Sequence, residues 1–182
     1  LLAIGSLLIG EFIELVLPQY TPGIPAAQIT MWGIFFMAIH STIGSFFLAA
    51  KKLREVLRLF AVLLPLGAVA HVVVIKAGFG LEGVAWTSLA VLATASAAEI
   101  WIARRGCGHP PAEIAGFLAS IYFPIGVAML ITGAVAQAGF NAYGSNFKTL
   151  IIDMMMILGL YLPMFLVYEH RFSLLRTVRQ TA

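Results

Sequence analysis

The chain has 182 residues, of which 61% are apolar and only 10% are charged; its formal net charge is +3 and its mean hydropathy is +0.98. Soluble domains contain about 45–50% apolar and about 25% charged residues, so this composition excludes an ordinary water-soluble domain. The apolar segments are long and uninterrupted, which indicates transmembrane helices rather than the alternating strands of a membrane barrel.

Six apolar segments follow one another along the chain, each near the roughly 20 residues that cross about 30 Å of hydrocarbon. Proline- and glycine-rich connectors separate them, and no connector is long enough for a further domain. We therefore predict an all-α polytopic membrane bundle of six transmembrane helices in a single domain, residues 1–182, ending in a short cytoplasmic tail, residues 169–182. The predicted helices cover residues 1–17, 28–50, 57–76, 83–103, 114–138 and 149–168.

The first predicted helix carries two acidic residues near its end. Glu11 and Glu14 are three positions apart and therefore share one helix face. They are candidates for a cation-attracting external mouth, and an ordinary solvated helix end is the alternative. Because the chain begins Leu1-Leu2-Ala3, without Met or a basic segment, this helix does not resemble a cleavable signal peptide. We expect a fragment of a longer protein.

Ionisable side chains inside the predicted helices are candidates for a cavity or an ion-coupling site, because a charged Asp, Lys or Arg at mid-membrane costs about 2.5–3.5 kcal/mol on insertion scales. His40 lies in the middle of the second helix; it could titrate in a cavity or bind a neighbouring helix as a neutral group. Glu99 lies near Arg104 and Arg105, and Asp153 lies near the outer end of the sixth helix. Pairing or reaching the interface is the alternative for both carboxylates.

Three prolines fall inside predicted helices, one each in the third, fifth and sixth. Pro65, Pro124 and Pro163 each remove a backbone hydrogen bond and should bend their helix. They are hinge candidates for alternating access, although plain membrane architecture accounts for them equally, since membrane helices tolerate proline.

The basic residues indicate the orientation of the helices, because short cytoplasmic loops are rich in Lys and Arg. Nine of the eleven fall on one side of the predicted bundle, and this side is therefore predicted to be cytoplasmic, as is the C-terminus. The nine are Lys51, Lys52, Arg54, Arg58, Arg104, Arg105, Arg171, Arg176 and Arg179; the other side has Lys76 and Lys148.

No catalytic motif is present in the sequence. There is no GxSxG, HExxH or GxxxxGK[ST] pattern, and the four histidines do not share a helix face in ligand spacing. Cys107 is the only cysteine, which excludes an internal disulfide and a CxxC metal site. The basic residues lie between apolar segments, so they do not indicate nucleic-acid binding. We predict no enzyme activity, no metal, no cofactor and no nucleic-acid partner.

Three sequence segments carry a family resemblance. They are IGEFIELVLPQYTPGI at residues 9–24, FLAAKK at residues 47–52 and GFGLEGVA at residues 78–85. They resemble the C-terminal half of bacterial polysaccharide and O-antigen flippases, in the multidrug, oligosaccharidyl-lipid and polysaccharide exporter superfamily. The resemblance covers roughly residues 5–103. The glycines of the third segment are expected to form a tight external turn.

The resemblance implies the second lobe of a twelve-helix transporter whose two lobes open alternately to each side of the membrane. The expected cargo is a lipid-linked oligosaccharide, and the expected partners are this substrate, membrane lipid and a missing N-terminal six-helix lobe. Such cavities are expected to offer cations to a pyrophosphate, whereas this chain has no Arg or Lys deep in a predicted helix. Either the first lobe supplies the cations or the cargo differs.

Two other functions are compatible with the sequence. A cation-coupled multidrug exporter of the same superfamily would bind its coupling ion at Asp153 or His40. The other is a non-transporting six-span scaffold or assembly subunit of an envelope complex.

Overall fold

The computed structural model describes residues 2–143 and positions 155 and 159, with the side chains of residues 2–10, 12–134, 155 and 159. This part of the chain is almost entirely helical and contains no strand. The chain divides into two compact units, Leu1–Met129 and Leu130–Ala182. The side-chain contacts between helices that are described below lie within the first unit.

The described residues form five α-helices. A short 3-10 helix, Pro18–Gly23, joins the first two. Turns of three to four residues join the others. The helices are α1 (Leu2–Val16), α2 (Ile24–Ala49), α3 (Leu53–Lys76), α4 (Gly80–Gly106) and α5 (Pro111–Tyr143).

Among the described residues, four helical segments are long and apolar enough to cross a membrane, and they overlap the second to fifth predicted helices. The prediction of an all-helical, multi-pass membrane protein is confirmed to this extent. The first predicted crossing corresponds to α1, whose 15 residues reach only about 22 Å, and the sixth lies outside the described residues, so the count of six stays a prediction. The four segments are Pro18–Ala49, Leu53–Lys76, Gly80–Gly106 and Pro111–Ala134.

The predicted helix boundaries were too narrow. The four helices begin at residues 24, 53, 80 and 111, whereas the apolar pattern placed their starts at 28, 57, 83 and 114. The pattern marks only the hydrocarbon-crossing part, whereas proline and acidic residues suit the first turn of a helix. Pro25 and Pro111 lie in such first turns. The predicted end of the fifth helix at residue 138 was also too early, because α5 continues to Tyr143.

Helix α4 is the centre of the packing in the first unit. It packs against both α2 and α3, while α1 packs against α2. Glycines permit these close approaches: a Cβ on Gly33 of α2 would lie 3.3 Å from the Leu92 side chain, and one on Gly67 of α3 would lie 3.4 Å from Val91. Small residues at such crossings let helix backbones approach closely in a membrane.

The turn between α3 and α4 confirms the expected role of its glycines. Gly78 and Gly80 have φ angles of +81° and +61°, a region that side chains with a Cβ rarely adopt. The chain therefore reverses direction within a few residues, which brings α3 alongside α4.

Helix α3 exposes an apolar surface. Its buried residues are Val56 and Gly67, whereas Val62 and Leu64 are each 67% exposed. Lipid, rather than water, is the solvent that such a surface fits.

One end of the first unit is strongly basic. The α2–α3 and α4–α5 turns meet there, since Lys52 Nζ donates to the carbonyl oxygen of Gly106 at 3.5 Å. We call this end, with the cations of residues 51–58 and 104–105, the basic end. That the basic end lies on the cytoplasmic side of the membrane stays a prediction.

Candidate functional site

Two of the predicted candidates, His40 and Glu99, form a pair between α2 and α4. The imidazole Nδ1 of His40 lies 2.7 Å from Glu99 Oε1 and 2.9 Å from Oε2. The Glu99 side chain is completely buried, whereas the His40 side chain is 43% exposed. A buried carboxylate is therefore joined to a ring that has access to the surroundings of the bundle.

The position of Glu99 differs from the prediction. We expected it at the inner end of its helix, beside Arg104 and Arg105, but α4 continues to Gly106 and Glu99 lies about two turns inside. Its carboxylate is bound by His40 rather than by either arginine. The predicted end of this helix at residue 103 was three residues short, which moved Glu99 towards the interface.

One aromatic side chain packs against the pair. The Phe60 ring of α3 packs edge-on against the His40 imidazole, with ring centroids 5.2 Å apart. Three helices therefore meet at this point, α2 with the imidazole, α4 with the carboxylate and α3 with an apolar wall. In the described part of the chain, His40 Nε2 has no hydrogen-bond partner, so the second ring nitrogen can accept a proton.

A second buried polar contact lies one helical turn away on α4. Ser96, which is completely buried, has its Oγ 2.6 Å from the Tyr122 hydroxyl of α5, and this hydroxyl is 2.9 Å from the carbonyl oxygen of Ala93. Ser96 precedes Glu99 by three residues and lies on the same face. The polar face of α4 thus extends beyond the ion pair.

His71 of α3 forms a further intramembrane contact that the sequence pattern did not predict. Its Nδ1 donates to the carbonyl oxygen of Gly67 at 2.7 Å, and its Nε2 lies 2.9 Å from the Ser88 hydroxyl of α4. A neutral ring accepts the serine proton at Nε2, whereas a protonated ring donates to the serine, which then donates to Val84. Both intramembrane histidines are thus bonded to side chains of α4.

The charge of the His40–Glu99 pair depends on one proton. With neutral His40, Nδ1–H donates to the carboxylate and the pair carries a net charge of −1. A second proton on the ring gives an imidazolium next to a carboxylate, with a net charge of zero. Between apolar helices, a net charge of −1 costs more solvation energy than a net charge of zero.

Among the residues that the structure describes, no other predicted site residues are brought together. Glu14 is partly buried near the end of α1, and the side chain of Glu11 is not described. Pro65 and Pro124 lie within α3 and α5, which continue on both sides of them, so bending stays a prediction. Asp153 and Pro163 lie outside the described residues.

Another His–Glu pair is exposed at the surface of the first unit. His109 Nδ1, in the α4–α5 turn, is 3.1 Å from Glu113 Oε2, and the two side chains are 42% and 60% exposed.

The described residues contain no group of three His, Cys, Asp or Glu side chains that could hold a metal ion.

The pairing of His40 with Glu99 had a signal in the sequence. Measured from the helix ends in the structure, His40 lies 9 residues before Ala49 and Glu99 lies 7 residues before Gly106. These separations correspond to about 14 Å and about 10 Å from the basic end. Correct helix ends would therefore have placed both side chains at similar depths, whereas the packing of α2 against α4 does not follow from these separations.

Comparison of the chain with models of known protein families, with curated proteins and with solved structures finds no match. The resemblance to polysaccharide flippases therefore stays a prediction.

Proposed function

We propose that this chain is part of a proton-coupled membrane transporter in which His40 and Glu99 bind the coupling proton. The observation that carries the proposal is the completely buried Glu99 carboxylate joined to the half-exposed His40 ring across two membrane-crossing helices. From the resemblance, the expected cargo is a lipid-linked oligosaccharide that crosses the cytoplasmic membrane by alternating access. The chain would contribute a bundle of six spans whose C-terminus is cytoplasmic.

The energetic cost of the pair supports a functional role. Moving a carboxylate out of water is expensive, and the attraction to a buried partner often only offsets that cost. Leu92 and Val91 show that apolar side chains of α4 pack well against α2 and α3 elsewhere. A helix contact of this kind does not need an ionisable pair, which favours a second task for these side chains.

Proton binding at this pair would couple to helix movement through its charge. In the deprotonated state the net charge of −1 favours an arrangement that gives Glu99 access to water or to a cation. Protonation of His40 gives a net charge of zero, which favours an occluded, apolar arrangement. Alternating access requires such a two-state dependence on the bound ion.

The experiment uses the native protein that contains this chain, reconstituted in phospholipid vesicles. The probe is a fluorescent undecaprenyl-pyrophosphate-linked oligosaccharide, whose arrival in the outer leaflet is measured with a membrane-impermeant quencher. A pH gradient is imposed in either direction, and lumenal pH is followed with an entrapped dye. We expect gradient-dependent translocation together with proton movement, and loss of the gradient dependence in Glu99→Gln and His40→Ala.

The matched controls are His109→Ala and Glu113→Gln, which remove an equivalent pair exposed to water. They should retain the gradient dependence. Full gradient dependence in both Glu99→Gln and His40→Ala would contradict the proposed coupling site. Gradient-driven movement of a lipophilic cationic dye, without movement of the oligosaccharide lipid, would instead favour the multidrug exporter; no movement of either probe would favour the scaffold.

A further inference from the structure

A pocket at the basic end lies between the last turns of α2 and α4. It has a volume of about 280 Å³ and is open rather than enclosed. Neither His40 nor Glu99 lines it, so it is separate from the proposed proton site. The lining residues are Thr42, Ile43 and Phe46 from α2, and Ala103, Arg104, Cys107 and His109 from α4 and the turn that follows.

Arg104 is the main charged group of this pocket. Its guanidinium carbon lies 4.2 Å from the centroid of the Phe117 ring, a cation–π contact that fixes the plane of the group. Its Nε is buried and has no hydrogen-bond partner among the described residues. Neither of the two salt bridges in the described part of the chain involves Arg104. An oriented guanidinium with such a donor is suited to an anionic oxygen ligand, above all phosphate.

The remaining walls indicate an amphiphilic ligand. Ile43, Phe46 and Ala103 place apolar surface next to the guanidinium, and Phe46 is 42% exposed. A soluble phosphate would make no use of this surface, whereas a phospholipid could place its phosphate at Arg104 and its first acyl carbons against the apolar walls.

The charge around the pocket is also favourable for an anion. Lys52 lies beside it, within hydrogen-bonding distance of Gly106, and Arg105 follows Arg104 directly. The carboxylate of Glu113 binds His109 but does not line the pocket, and it is 60% exposed to solvent, which weakens its repulsion of a bound anion.

We infer that this pocket binds the phosphodiester headgroup of an anionic phospholipid, with Arg104 as its principal ligand. Basic pockets between membrane helices commonly hold such headgroups. The inference does not depend on the proposed transport activity, because it concerns a different site and a resident lipid rather than a cargo.

The test measures lipid association with the reconstituted protein. Within this chain, Trp32→Phe and Trp86→Phe substitutions leave Trp101, one helical turn before Arg104, as the fluorescent reporter; any tryptophan elsewhere in the protein is replaced by Phe as well. Vesicles of phosphatidylcholine contain increasing fractions of phosphatidylglycerol with brominated acyl chains, which quench tryptophan on contact. We expect phosphatidylglycerol to be preferred over brominated phosphatidylcholine, and Arg104→Gln to lower this preference by about fivefold, the effect of one basic residue.

Arg105→Gln is the matched control, because it removes the same charge from the adjacent, exposed position outside the pocket. It should change the preference much less than Arg104→Gln. Arg104→Lys keeps the charge but loses the planar fork, and it should fall between the wild type and Arg104→Gln. Each variant counts as folded if its circular dichroism spectrum matches that of the wild type and its elution profile is monodisperse.

Equal effects of Arg104→Gln and Arg105→Gln would overturn the inference, because a general surface potential would then account for the lipid preference. Inorganic phosphate is added in a separate arm to distinguish a lipid headgroup from a free anion. Phosphate is added at constant ionic strength, and unchanged quenching supports a lipid site. Complete loss of the phosphatidylglycerol preference at low millimolar phosphate would assign the pocket to a soluble anion and overturn the lipid assignment.

Discussion

The first unit contains two His–Glu pairs of the same chemistry in different surroundings. His40 and Glu99 are 59 positions apart, join two helices and bury the carboxylate completely. His109 and Glu113 are four positions apart, belong to one turn and its helix, and are exposed on both sides. The residue types alone therefore do not determine the role of such a pair; the solvent around the carboxylate does.

The two pairs differ in what each partner does for the other. An exposed pair gains little, since water solvates either partner alone. In the buried pair, removing one partner leaves the other as an uncompensated group among apolar helices. The comparison predicts a ranking of substitution effects on stability, measured as the free energy of unfolding in an SDS titration of the micelle-solubilised protein, followed by circular dichroism.

The largest effect is expected for His40→Leu. It leaves the Glu99 carboxylate buried without its partner, and the free energy of unfolding should fall by about 3–5 kcal/mol. The double variant His40→Leu, Glu99→Leu should recover most of this loss, because apolar replacement of both partners removes the buried charge. Equal losses in His40→Leu and in the control His109→Leu would show that the two pairs do not differ in this way.

A smaller effect is expected for Gly33→Val, which tests the helix contact that supports the buried pair. The added side chain meets Leu92 of α4 and should separate α2 from α4, at a cost of about 1–3 kcal/mol. Gly44→Val is the control in the same helix, because a Cβ there meets none of the described atoms within 4 Å. A similar loss in both variants would argue against close packing of α2 on α4.

Tyr122→Phe tests the polar contact next to Glu99. We expect a loss of about 1 kcal/mol, typical of one hydrogen bond, because Ser96 can still donate to the Ala93 carbonyl. Tyr20→Phe is the control, since Tyr20 is 61% exposed, and it should leave the stability unchanged. A loss as large as that of His40→Leu would mean that the buried polar face acts as one network.

The smallest effect is expected for Glu113→Gln. The exposed pair should contribute no more than about 0.5 kcal/mol, and added salt should remove even this difference from the wild type. The loss in His40→Leu should persist at the same salt concentration, because buried charges are screened much less. A salt-sensitive effect at His40 would instead place that pair in contact with water.

The sequence predicted the helical membrane fold well because apolar segments of about 20 residues are typical of membrane-crossing helices and rare in soluble domains. It predicted the helix ends poorly, since charged residues and prolines at the interface interrupt the apolar pattern without ending the helix. This error accounts for the misplacement of Glu99. The pairing of His40 with Glu99, and of His71 with Ser88, depends on which helices pack together, and no local pattern contains that information.

The His40–Glu99 contact in a lipid bilayer is the claim on which the proposed function depends. Solid-state NMR on bilayer-reconstituted protein, with ¹⁵N-labelled histidine and ¹³C-labelled glutamate, measures it directly. We predict a through-space correlation between a histidine Nδ1 and a glutamate Cδ that disappears in Glu99→Ala and persists in Glu113→Ala. If Glu113→Ala abolished the only such correlation and Glu99→Ala left it intact, the buried pair would not exist in the membrane.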